Sequence, residues 1–183
     1  MVRAVSILVL AASLLACEVG VYSTTGVGVA TEPWSSEPSP MPGWSLQGRA
    51  RDAYAAEVDP EAPRDGHGTI RVHPTADAGG AYATYMTSLD AAPFRGRRAH
   101  AVVFVRTQGV TGRGDVWVRA QAAGPPADGP GLATSIARLA ANADFTRYEL
   151  TIDVPDDAAQ VQLGVGLGGP GMLWLDGVRV EAQ

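Results

Sequence analysis

From about residue 42 to residue 183, apolar positions recur every second residue, the spacing of a half-buried strand rather than of a helical face. Arg98 to Thr107 is the clearest case. Ala99, Ala101, Val103 and Val105 share one face, and Arg98, His100, Val102, Phe104 and Arg106 share the other. Further strands are predicted over 53–58, 69–73, 81–88, 116–120, 147–154, 159–167 and 172–180. Turn-forming clusters such as 109–114 and 153–157 separate them. Short strands at regular intervals predict an all-β fold, an antiparallel β-sandwich of jelly-roll type. Leu132 to Ala141 is helical by composition, but it lies in an irregular connection opening at Gly124-Pro125-Pro126. It is read as loop with at most one turn.

The N-terminus has a different pattern. Met1-Val2-Arg3 precedes an apolar run from Ala4 to Leu15, the layout of a secretory signal peptide. The run is about a dozen residues, below the roughly 20 that span a bilayer. It ends in Leu14-Leu15-Ala16-Cys17, which resembles the bacterial lipobox. That resemblance implies cleavage before Cys17, lipidation of its thiol, and anchoring in the bacterial cell envelope. Two or three acyl chains make such an anchor durable, which one chain does not. Glu18 stands where an Asp commonly retains lipoproteins at the inner membrane, so the outer membrane is favoured. Residues 18–41 have no sustained period and carry Pro33, Pro38 and Pro40, which predicts a flexible tether. The expected organisation is a signal peptide over 1–16, a lipidated Cys17 and linker over 17–41, and a β-sandwich over 42–183.

Charge narrows the partners. The net charge is −5, and all 14 basic residues are Arg. Nucleic acid is not expected as a partner, because its binding draws on phosphate neutralisation. Cys17 is the sole cysteine, so no disulfide supports the fold.

The second half carries a series of landmarks: Phe94-Arg95-Gly96-Arg97-Arg98, Asp115-Val116-Trp117-Val118-Arg119, Phe145 to Leu150, Val154-Pro155-Asp156-Asp157, and the closing Gly164 to Val178 with its Trp174-Leu175-Asp176. In this order they resemble a bacterial galactose-binding-like, carbohydrate-binding-module-like β-sandwich, a domain found alone or fused to other modules. The sequence departs from that family at Phe145, near which a tryptophan is usual, and in the 122–141 loop, where ligand contacts are expected. The resemblance also implies that an Asp on the last strand, here Asp176, can help hold a structural calcium. One carboxylate cannot complete a six-to-eight-oxygen site, so no metal or other cofactor is expected.

Most other motifs have plain readings. Gly164 to Gly169 spells G-x-G-x-x-G, but no helix follows to receive a pyrophosphate, and a glycine-rich turn between strands is expected. Arg113-Gly114-Asp115 reads as a turn. His67, His73 and His100 lack metal-ligand spacing, although His73 and His100 could meet in space. There is no G-x-S-x-G, and carboxylate pairs carry no signal in so acidic a sandwich, so no enzyme activity is expected. Aromatic side chains remain. Tyr54, Tyr82, Tyr85 and Trp117 are the candidates for stacking on a sugar, against core packing as the alternative. Trp117 and Trp174, flanked by apolar residues, are expected in the core. Tyr82 and Tyr85 must point to opposite faces of one strand. The expected function is a non-catalytic module binding a glycan or another envelope component. The alternatives are a structural lipoprotein contacting envelope proteins and an accessory domain of a hydrolase.

Overall fold

The computed structural model describes residues 40–62, 64, 68–77, 80–124 and 131–183. Cys17 and its apolar run, the tether up to residue 39, and His67 lie outside the described residues. The described residues form ten strands in two antiparallel sheets. The first contains β1 (Trp44–Gln47), β4 (Tyr82–Asp90), β6 (Gly114–Gln121), β7 (Ala133–Arg138) and β9 (Gln160–Gly168), in the order β1-β4-β9-β6-β7. The second contains β2 (Tyr54–Asp59), β3 (Thr69–Pro74), β5 (Arg98–Gln108), β8 (Ala143–Asp153) and β10 (Met172–Ala182), in the order β2-β3-β10-β5-β8. This is the jelly-roll sandwich that the period-two pattern predicts.

Inward positions explain the packing. Ala99, Ala101, Val103 and Val105 of β5 face Val161, Leu163, Val165 and Leu167 of β9 from the opposite sheet, and each is at most 1% exposed. The core reaches back to Met41, which is buried and whose N–H donates to the Tyr85 hydroxyl. The packed domain therefore includes the last residue assigned to the tether.

Two elements differ from the sequence expectation. Ala133–Arg138 is strand β7, not loop. It pairs with β6 from Asp115↔Arg138 to Ala120↔Ala133. Its small side chains at Ala133, Ser135 and Ala137 give little apolar signal, because an edge strand covers only the margin of the core. Trp44–Gln47 is strand β1, paired to β4 along the other edge.

Glycine also acts differently than expected. Gly164, Gly166 and Gly168 are residues within strand β9, and the turn proper is Gly169-Pro170-Gly171. In β10 a register shift falls between Asp176 and Arg179, where Gly177 adopts a φ of 58° that disfavours a side chain. One Asp176 carboxylate oxygen accepts the Gly177 N–H at 2.7 Å, and the other accepts Arg64 Nε at 2.8 Å. Asp176 thus braces a bulge, and its oxygens already have partners. Among the described residues no cluster of three or more His, Cys, Asp or Glu could hold a metal ion.

Candidate functional site: the outer face of the first sheet

Strand β6 reads Asp115-Val116-Trp117-Val118-Arg119-Ala120-Gln121. Val116, Val118 and Ala120 are fully buried in the core, so alternation turns Asp115, Trp117, Arg119 and Gln121 to the outer face. The neighbouring β9 turns Gln160, Gln162, Gly164, Gly166 and Gly168 the same way, and β4 turns Tyr82, Thr84, Met86 and Ser88. Register places these in rows across the sheet. One row runs Ser45, Met86, Gly164, Trp117, Ile136, and the next runs Gln47, Thr84, Gly166, Asp115, Arg138. At the strand spacing of a sheet, such a row is about 19 Å wide.

The glycine stripe lets the β6 side chains lie down across β9. A Cβ at Gly164 would sit 2.6 Å from the Trp117 ring, and one at Gly166 would sit 2.5 Å from Asp115 Oδ1. Any side chain at these positions would displace the indole or the carboxylate. The indole is further covered by the Arg119 guanidinium, 4.8 Å from a ring centroid, so Trp117 is only 7% exposed. Arg119 Nε donates to the Gln162 side-chain oxygen at 2.7 Å, and Gln162 in turn donates to Ser88. Burial pushes the Arg119 guanidinium below the ordinary arginine range.

At the other end of the face, Arg113 stacks 3.9 Å from the centroid of Tyr82, and its Nε donates to Asp115 at 2.5 Å. Burial works against the Arg113 charge, but the Asp115 hydrogen bond and its negative charge outweigh it and hold the group above its usual range. Arg138 approaches the same Asp115 oxygen at 3.4 Å. The second oxygen, Oδ1, is buried and has no hydrogen-bond partner among the described residues, and the same holds for Gln121 Nε2. A buried polar atom left unpaired costs about 1–3 kcal/mol. This ladder therefore carries an unfilled acceptor and an unfilled donor on one face. Three of the four exposed large hydrophobic side chains among the described residues also belong to this side of the molecule: Tyr82, Leu132 and Ile136.

The sequence candidates divide accordingly. Tyr82, at 42% exposed, and Trp117 reach this face. Tyr85 does not. It points inward, is 1% exposed and packs against Trp44 with ring centroids 5.2 Å apart. Tyr54 is also a core side chain, on the opposite sheet, with its hydroxyl donating to the Gly169 carbonyl. Both are corrected from ligand-contacting to structural positions. The tryptophan expectation holds for burial but not for place. Trp117 and Trp174 are buried but outside the inter-sheet core. Trp174 faces outward on the second sheet beneath Arg106, and its indole N–H donates to Asp59 at 2.9 Å.

Other motifs resolve to structure. Asp115 of the Arg113-Gly114-Asp115 triplet has no exposed surface, and β6 already begins at Gly114, so the triplet presents no adhesion loop. His73 and His100 do not meet. His73 Nε2 pairs with Glu57, His100 Nε2 pairs with Glu149, and they flank opposite ends of β10. Among the described strand residues, the two carboxylates on the ladder face, Asp115 and Asp90, are six positions apart in register and two strands apart, about 20 Å or more. Glycoside cleavage places its pair within about 10 Å.

The missed residues are the β9 glycines, Arg113, Asp115, Arg119, Gln121 and Gln162. Their signal was a polar alternation on β6 matched by a glycine alternation on β9.

Solved structures share this architecture. A family 16 carbohydrate-binding module superposes with a TM-score of 0.53 at 15% identity, covering 70% of this chain and 86% of that one. The domain has the fold of a carbohydrate-binding module. The same sandwich also occurs in larger or different settings. The enzymatically active domain of bacteriophage CBA120 tailspike protein 4 superposes with a TM-score of 0.62 at 14% identity, over 78% of this chain and 20% of that one. A cyclase from Fischerella sp. TAU gives 0.56 at 15% identity, over 83% and 92%. In sequence, the module-like chain is 28% identical over 145 residues to YbfP of Bacillus subtilis, described as an uncharacterized HTH-type transcriptional regulator. The match covers 77% of this chain and spans about half of that relative, 48% of its length. The sequence matches no family model.

Proposed function

We propose that this chain is a non-catalytic, lipid-anchored module that holds a glycan against the outer face of the β1-β4-β9-β6-β7 sheet. The observation that carries the reading is the β6 ladder across the glycine stripe. It sets aromatic surface, hydrogen-bonding amides and guanidiniums side by side on a rigid sheet. Its partly exposed Arg113 and largely exposed Arg138 guanidiniums are ready donors for sugar hydroxyls. Sugars are recognised by stacking on aromatic faces finished by such polar groups. Exposed Tyr82, stiffened by Arg113 across it, is the accessible stacking surface.

Affinity electrophoresis tests this. The full chain should be retarded by at least one polysaccharide in a panel drawn from plant and bacterial envelope glycans. Tyr82→Ala should restore free mobility without altering the melting temperature. No retardation across the panel, or equal retardation of the variant, would overturn the reading.

The anchor rests on the lipobox-like placement of Cys17, with the envelope, and the outer membrane in particular, as the compartment. Cys17→Ala is expected to abolish incorporation of labelled fatty acid and to leave the chain uncleaved. Equal labelling of both chains would remove the anchor from the account.

A further inference from the structure

The ladder face carries more positive charge than the chain around it. In its central rows Arg113, Arg119 and Arg138 face outward, with Asp115 as the one carboxylate among them. Two of these guanidiniums, Arg113 and Arg138, converge on that single carboxylate, which leaves a surplus positive charge in the row. The whole chain is at −5, so this local sign is the reverse of the molecule's. Among the described residues, the outer face of the other sheet shows no such surplus. There Arg71 pairs with Glu57, Arg98 with Asp153, and Arg64 with Asp176. Arg138 also has the freedom to reach a ligand, because its side chain is 73% exposed on edge strand β7.

We propose that the glycan held by this face is acidic, an extended polysaccharide whose carboxylates meet Arg138 and Arg113 while a sugar ring stacks beside Tyr82. The inference rests on the glycan-binding reading above and adds the ligand's charge. Guanidinium is the side chain suited to it, since its planar fork matches a carboxylate with two parallel hydrogen bonds. An exposed Arg–carboxylate contact weakens with salt, because it lies within the reach of screening ions.

The test pairs each acidic glycan with its own uncharged form. Full chain is titrated with polygalacturonate, alginate and hyaluronan, and with the same polymers after carboxyl reduction. At least one acidic form is expected to bind about fivefold or more tighter than its reduced counterpart, the scale of one exposed ion pair. Arg138→Gln should shrink that ratio about fivefold while the variant melts at the parent temperature. Equal binding of acidic and reduced forms, or binding of neutral glycans alone, overturns the acidic assignment and leaves the glycan reading standing. Equal binding to poly-glutamate, which has charge but no sugar, also overturns it. No binding to any glycan, charged or neutral, overturns both.

Discussion

At the scale of single residues, apolar neighbours mislead about a strand tryptophan. Val116 and Val118 face the core, so Trp117 between them must face out, and Leu173 and Leu175 do the same to Trp174. The flanking residues that suggested burial in the core are the reason for the opposite placement. Parity did separate Tyr82 from Tyr85 in advance, and the core-facing Ala83 beside Tyr85's position fixes which one is inside. Trp174 has its own test. Its N–H bond, ahead of the opposing effect of burial, holds the Asp59 carboxyl below the ordinary aspartate range. A depressed carboxyl stabilises the fold above its unfolded pKa, about 3.9, and that contribution is lost as pH falls through the folded value. Trp174→Phe should therefore cost about 1.5–3 kcal/mol at pH 7. The gap to the parent should narrow as pH drops below about 4 in urea denaturation. A gap that is constant from pH 7 to the acid limit would show that the bond to Asp59 is not its source. Gly164→Ala probes the stripe. Its new Cβ collides with the Trp117 ring, so a loss of about 1–3 kcal/mol is expected together with a shift in tryptophan fluorescence. A stable variant with parental emission would contradict the packing.

At the scale of elements, legibility followed position in the sheet. Strand β5 lies between β10 and β8, crosses the core, and shows clean alternation, so its sequence declared it. Strand β7 is an edge with Ala and Ser on its inner side, and its composition resembled a helix. The β9 glycines resembled a turn because alternation of Gly with Val and Leu is rare in an isolated strand. Their reason lies in the partner strand, where Trp117 and Asp115 need the space. The same positions set local stability. Strand β9 is paired on both sides, by β4 and β6, whereas β7 is paired only to β6. Amide hydrogen exchange should be slow through 161–167 and much faster through 133–138. Comparable protection in both would mean that β7 is covered by more than its single ladder.

At the scale of the whole molecule, the sandwich presents two unlike outer surfaces. One is laced with paired charges such as Arg71–Glu57, Arg98–Asp153 and Arg64–Asp176. The other carries the ladder, the glycine stripe, Tyr82 and the unpartnered polar atoms. The fold class was legible because two-residue periodicity reports directly on a sheet with one buried face. The site was only partly legible, since it exists in the register between β4, β9 and β6, and register is not written in any one strand. The central claim is that ligand binds the ladder face. Its most direct test is amide chemical-shift mapping of the full chain titrated with a glycan that retards it. The account predicts shifts concentrated in 82–88, 113–121 and 160–168, with 54–59 and 98–106 unmoved. Shifts gathered instead on the charge-laced sheet, or spread along the inter-sheet core, would contradict it.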